Sequence, residues 1–142
     1  LTLISVCAFE IALIFFAGTK SVNSNTFEPF DNGVGILCKI NDSKDNKEPL
    51  FFLFAEDRQS VSRLRFETNN IRLSEILRTE INANSISWLD REGFSNTRYQ
   101  LNRTTLELST NPGKRACEAM SAKSLKKSAD NYLSSIMIGN KI

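Results

Sequence analysis

The sequence predicts a mainly β domain of the α+β class. Six to seven short antiparallel strands form a meander or small barrel, and one C-terminal helix packs on it. Segments of alternating apolar and polar residues recur between residues 34 and 109, and the last segment changes to helical periodicity. An apolar N-terminal stretch precedes them. The predicted organisation is therefore residues 1–24 as a signal peptide or membrane anchor and residues 25–142 as a single globular β-rich domain.

The first 18 residues are almost wholly apolar, and small polar residues follow them from Thr19 onward. An apolar run with such an exit is typical of a secretory signal. The run is also nearly long enough to span a membrane, although Glu10 in its centre would cost about 2.5–3.5 kcal/mol in a bilayer. A buried core helix is the third interpretation. The favoured localisation is export, periplasmic or secreted, and the alternative is a protein anchored in the membrane.

Removal of residues 1–24 would leave two cysteines, Cys38 and Cys117. An even count in an exported chain predicts one disulfide. Closing a loop of 79 positions would contribute about 4 kcal/mol through the entropy of the unfolded chain. Two separate buried thiols are the alternative, because unpaired cysteines behave as small hydrophobic side chains.

The predicted strands are short and differ in their patterns. Residues 34–40 and 60–67 alternate, which indicates strands with one buried face, whereas residues 50–55 are continuously apolar and indicate a strand buried on both faces. Residues 71–81 fit either a helix or a strand, and their alternation favours a strand. Residues 85–89 predict a further strand, and residues 98–103 and 104–109 predict a strand pair.

Helical periodicity begins after the break at Asn111-Pro112-Gly113 and predicts a helix over residues 114–137. One third of the helical wheel holds the apolar and small residues, and the lysines Lys123 and Lys127 lie opposite. The residues of this stripe are Cys117, Ser121, Leu125, Ala129, Tyr132 and Ile136. We expect Leu125, Tyr132 and Ile136 to pack on the sheet.

The sequence Ile86-Ser87-Trp88 is followed after ten residues by a stretch that begins at Tyr99 and contains Asn102, Arg103 and Leu106. This arrangement is similar to a pattern in small exported bacterial proteins of unknown function, in which a strand ending I-x-W precedes a hairpin written Y-x-(L/I)-(N/D)-R-x-T. Cys38 and Cys117 also match the early and late cysteines of that pattern. The resemblance implies a β-meander and export, not an activity. The chain departs from the pattern at Leu106, where a turn glycine is usual.

The residues of this motif suit a structural role. Trp88 and Tyr99 are large amphipathic rings that can pack across neighbouring strands. Arg103 beside Asn102 can brace the hairpin turn.

Composition excludes several classes of function. The chain contains no histidine, which removes His-activated nucleophiles and His-ligated metal sites, and it has no phosphate-binding glycine motif. A net charge of +2 gives no support for nucleic-acid binding. We expect no cofactor and no metal. The composition still allows catalysis by paired carboxylates, and the candidate pairs are Glu56 with Asp57 and Asp90 with Glu92. Acidic residues at strand ends, however, are usually solvated turn residues.

The expected function is therefore non-enzymatic binding by an exported β-domain. Its ligand would be a small apolar molecule or another envelope protein. The candidate ligand cavity is lined by Phe51, Leu53, Leu64 and Phe66. The alternative is a membrane-anchored accessory protein that uses its basic C-terminal helix at the lipid surface.

Overall fold

The computed structural model describes residues 27, 29–39, 48–92, 96–111 and 113–139. The predicted signal or anchor segment, residues 1–24, lies outside these residues. Along the described chain, ten strands are followed by one helix: β1 (Val34–Lys39), β2 (Leu50–Phe54), β3 (Ser60–Phe66), β4 (Ile71–Leu73), β5 (Leu77–Arg78), β6 (Glu80–Ile81), β7 (Ser85–Asp90), β8 (Thr97–Asn102), β9 (Glu107–Thr110), β10 (Gly113–Ser121) and α1 (Ala122–Gly139).

The strands form one antiparallel sheet whose main path runs β4-β3-β2-β1-β10-β9-β8-β7-β6. β1 is an inner strand of this path, because it pairs with β2 on one side and with β10 on the other. β5 pairs with β3, whereas β6 pairs with β7, and only Thr79 separates β5 from β6. The short segment over residues 77–81 therefore connects the two halves of the sheet, which curls into a half-barrel.

The concave face of the half-barrel buries an aromatic core. Phe52 lies with its ring centroid 5.2 Å from those of both Trp88 and Tyr99, so β2 packs across the interior against β7 and β8. Alternation along β1, β2 and β8 directs every second side chain to this face. The buried members of this inner core are Ile36, Cys38, Leu50, Phe52, Phe54, Val61, Ile86, Trp88, Tyr99, Leu101 and Leu108.

The convex face carries a second core beneath α1. Ala122, Leu125 and Ala129 are buried, and they form one stripe of the helix. The helix starts where it does because the Ser124 backbone N–H donates a hydrogen bond of 3.1 Å to the Ser121 hydroxyl, which caps the first turn. The buried members of this outer core are Phe27, Phe30, Leu37, Phe51, Leu53, Leu64, Ala122, Leu125 and Ala129.

The structure confirms a mainly antiparallel β fold with a C-terminal helix, but the predicted details of strand number and helix start are wrong. The described chain has ten strands instead of six to seven. The helix begins at Ala122, and most of the segment predicted to be its first part forms β10. Cys117 and Ser121, predicted for the helical stripe, therefore lie on a strand. β10 pairs with β1 and β9, and these backbone hydrogen bonds override the local helical pattern.

The ambiguous segment over residues 71–81 forms strands, as its alternation favours. It is divided into the three short strands β4, β5 and β6.

Candidate functional site

The predicted disulfide is present. Cys38 and Cys117 lie directly opposite each other on β1 and β10, with their Cα atoms 4.0 Å apart. The bond joins a strand near the start of the described chain to the strand that precedes α1. It therefore fixes the register at the middle of the sheet.

The four residues of the candidate cavity come together on the convex face, beneath α1. The Phe51 and Phe66 ring centroids are 5.1 Å apart, and the Tyr132 ring lies 5.8 Å and 5.0 Å from them. Leu53 and Leu64 are buried in the same outer core. Leu64 and Phe66 also line an open groove, described below.

The residues of the Trp88 motif meet as cross-strand and turn partners. Trp88 is 3% exposed and stacks on Tyr99 at a centroid distance of 5.4 Å. Asn102 accepts 2.9 Å hydrogen bonds through its Oδ1 from the backbone N–H groups of Thr104 and Thr105. These contacts order the interior and the β8–β9 turn.

An apolar crevice of about 200 Å³ opens at one end of the half-barrel, where β2 turns into β3 and β8 turns into β9. Its lining includes buried side chains that continue the inner core, and two arginines, Arg58 and Arg103. Leu106 and the exposed Ala119 also contribute. The buried apolar residues are Ile36, Phe54, Ile86 and Leu101.

Within the part of the chain that the structure describes, the side chains of the two arginines of the apolar crevice bond to backbone carbonyls. Arg58 donates from its Nη1 to the Glu56 carbonyl oxygen, and Arg103 donates from its Nη1 to the Asn82 carbonyl oxygen at 2.8 Å. Among the described residues, neither guanidinium has a carboxylate within 4.0 Å. The lining of the crevice therefore combines apolar surface with two positive charges, one of them on the exposed Arg103, that have no carboxylate partner among the described residues.

Two lining residues of the apolar crevice also have left-handed backbones. Arg58 has φ 65° and Leu106 has φ 57°. Such conformations cost non-glycine residues about 1–3 kcal/mol and often occur at functional sites. Local hydrogen bonds stabilise both turns, since the Arg58 N–H donates to the Ala55 carbonyl and the Leu106 N–H donates to the Asn102 carbonyl, each at 2.9 Å.

A larger groove of about 690 Å³ lies at the other end of β3. We call it the arginine groove because Arg63, Arg65 and Arg72 line it. Acidic side chains also line it, and the last turns of α1 supply an apolar wall. The acidic residues are Glu48, Glu67 and Glu92, and the apolar helix residues are Leu133, Ile136 and Met137.

The sequence pattern predicts a structural role for Arg103 and no role for Arg58. One signal of the apolar crevice was available in the sequence, namely Leu106 at a position where glycine is usual. Its left-handed backbone explains why glycine would suit that position.

The described residues contain no group of three or more His, Cys, Asp or Glu side chains placed to hold a metal ion. In the same part of the chain, no helix has both the length and the apolar composition needed to cross a lipid bilayer.

Comparison with known proteins gives no relative from which an activity could be transferred. No protein-family model, curated protein or solved structure matches the chain significantly.

Proposed function

We propose that the protein binds a small apolar molecule that carries one anionic group, and that the apolar crevice is the binding site. The observation that carries this proposal is the pairing of an apolar lining with two arginines that have no carboxylate partner among the described residues. The apolar part of the ligand would extend the inner core, and its anionic group would accept hydrogen bonds from Arg58 and Arg103.

The size of the apolar crevice limits the ligand. An engineered apolar cavity of about 150 Å³ is large enough to bind benzene. A crevice of about 200 Å³ therefore suits a short aliphatic or single-ring carboxylate and not a long lipid chain.

The disulfide supports function outside the cytosol. Disulfides persist in oxidising compartments and are rare in cytosolic proteins. We therefore also propose that the protein is exported, with the Cys38–Cys117 bond as the supporting observation.

The alternative role at a lipid surface finds less support in α1. Its apolar residues Ala122, Leu125 and Ala129 are buried against the sheet. Those side chains are therefore engaged within the domain, while Lys123 and Lys127 are exposed.

The test is a titration with octanoate, followed by isothermal calorimetry and by backbone amide chemical shifts. We expect octanoate to bind and to shift the amides of Leu101, Leu106 and Ala119. Octanol and octyltrimethylammonium should bind at least tenfold more weakly, because they lack the negative charge.

Arg58→Gln and Arg103→Gln should each weaken octanoate binding about 2–10-fold, the range for a charge-assisted contact at a partly exposed site. Arg98→Gln is the matched control, because Arg98 is exposed and pairs with Glu80 away from the crevice. Equal affinity for octanoate and octanol, or shifts confined to other regions, would overturn the proposal.

A further inference from the structure

Arg63 is half-buried in the arginine groove, and among the described residues the carboxylate that acts on it, that of Asp90, lies beyond 4.0 Å. Arg63 points to the concave side of β3, as Val61 and Arg65 do, because alternate side chains share a face. Among the described residues, its guanidinium has no hydrogen bond and no carboxylate within 4.0 Å. Burial, together with the positive charges of Arg65 and Arg115, lowers the pKa of Arg63, and the Asp90 carboxylate opposes this shift. The guanidinium nevertheless stays charged near neutral pH, and a desolvated charge without a partner is unfavourable.

Two neighbouring arginines add positive charge beside Arg63. Arg65 pairs with Glu92 and lies 3.6 Å from Asp90, yet its Nε is buried without a hydrogen-bond partner. Arg115 donates from its Nη1 to the Glu48 carbonyl oxygen at 2.7 Å. Burial also lowers the pKa of Arg115. Asp90 and Glu92 therefore both lie within 4.0 Å of Arg65, Glu67 pairs with Arg72, and the Arg63 guanidinium has no hydrogen-bond acceptor among the described residues.

The arginine groove passes the C-terminal end of β3, so Arg63 and Arg65 line it from the concave side of the strand and its wall on the convex side is apolar. Leu64 and Phe66 line it from β3, and Leu133, Ile136 and Met137 line it from α1. Met137 is 46% exposed, so its side chain is accessible to a ligand in the groove. A volume of about 690 Å³ lies within the range of roughly 300–1,000 Å³ that is typical of small-molecule sites.

We infer that the arginine groove binds an anionic ester of a short-chain alcohol, such as an alkyl phosphate. The Arg63 guanidinium is the direct ligand of the anionic oxygen atoms. The oxyanion supplies the acceptor that Arg63 lacks. The alkyl group contacts the apolar wall formed by Phe66 and Met137. This site is separate from the apolar crevice and does not depend on the function proposed for it.

The probe is hexyl phosphate, which presents a phosphate and a short alkyl chain without forming vesicles at low concentration. We expect calorimetry to show binding and the amides of Arg63, Phe66 and Met137 to shift. Inorganic phosphate and 1-hexanol should each bind at least tenfold more weakly, because the first lacks the alkyl group and the second lacks the anionic group. Equal binding of inorganic phosphate, or shifts confined to the apolar crevice, would overturn the inference.

The decisive variant is Arg63→Met, which keeps a long side chain but removes the charge. Its affinity for hexyl phosphate should fall at least tenfold, while its urea midpoint should be unchanged or higher, because an unpaired buried charge has been removed. Arg98→Met and Arg103→Gln should retain wild-type affinity. A lower urea midpoint would identify Arg63 as a structural residue, and an unchanged affinity would exclude it as the ligand.

Vesicles of phosphatidylglycerol distinguish a free ester from a lipid headgroup. We expect no cosedimentation of the protein with such vesicles. Cosedimentation without binding of hexyl phosphate would overturn the inference and favour a membrane surface.

Discussion

The close approach of α1 to β1 makes Gly35 a sensitive position. A Cβ atom at Gly35 would lie 2.5 Å from the Leu125 Cβ, 3.0 Å from its Cδ2 and 3.1 Å from its Cγ. Carbon atoms in contact normally lie about 3.5–4.0 Å apart, so Gly35→Ala requires α1 to move by about 1 Å or more. Overpacking of this kind costs about 1–3 kcal/mol.

Gly113→Ala is the matched control, because a Cβ there has no neighbour within 4 Å. Both substitutions reduce the entropy of the unfolded chain, which is worth about 0.4–1 kcal/mol in favour of folding. The difference between the two variants therefore isolates the cost of overpacking, and we expect Gly35→Ala to be less stable than Gly113→Ala by about 1–3 kcal/mol.

The assay is equilibrium unfolding in urea, with the free energy of unfolding and the m-value fitted for each variant. The m-values should agree, since the same surface is exposed on unfolding. Equal stability of Gly35→Ala and Gly113→Ala would refute the packing of Leu125 over Gly35. Such a result would also contradict the close packing of α1 on β1.

Three further predictions concern the cores and the β8–β9 turn. Trp88→Ala should lower the free energy of unfolding by about 3–5 kcal/mol in a urea titration, because Trp88 is buried against Phe52, Phe54 and Tyr99; a loss below 1 kcal/mol would contradict the described core. Replacing both Cys38 and Cys117 by Ala should cost about 2–5 kcal/mol, whereas dithiothreitol should have no effect on the stability of this double variant. Leu106→Gly should relieve a left-handed backbone and yet weaken octanoate binding, since it removes a side chain from the apolar crevice; thermal unfolding and calorimetry would separate the two effects.

The strands with clear local patterns could be predicted from the sequence. β1, β2, β3, β7 and β8 coincide closely with predicted segments, because alternation and apolar runs are local signals of a sheet. β10 could not be predicted in this way. Its sequence lacks β-branched residues, and its apolar residues continue the four-residue spacing of α1, so the local pattern indicates a helix. Pairing with β1 and β9 decides its structure, and the pairing with β1, between residues as far apart in sequence as Cys38 and Cys117, leaves no local pattern.

The candidate sites depend even more strongly on long-range contacts. The two cysteines predicted that a segment near residue 38 meets one near residue 117, and the disulfide confirms this. The apolar crevice, in contrast, brings together Arg58 and Arg103 from separate turns, and neither position is distinctive along the chain. The candidate cavity residues share a face because of their alternation, but only the position of α1 determines that they pack beneath a helix.

The segment that joins β3 to β7 affects local opening of the half-barrel. β5 and β6 each pair over only two residues, so few interstrand hydrogen bonds hold this junction. Thr79 between them donates its backbone N–H to the Gln59 carbonyl at 3.0 Å and its hydroxyl to the Arg58 carbonyl. Local opening begins where a sheet has the fewest bonds. Because Thr79 is bonded to the carbonyls of Arg58 and Gln59, separation of this junction would also release the turn that carries Arg58.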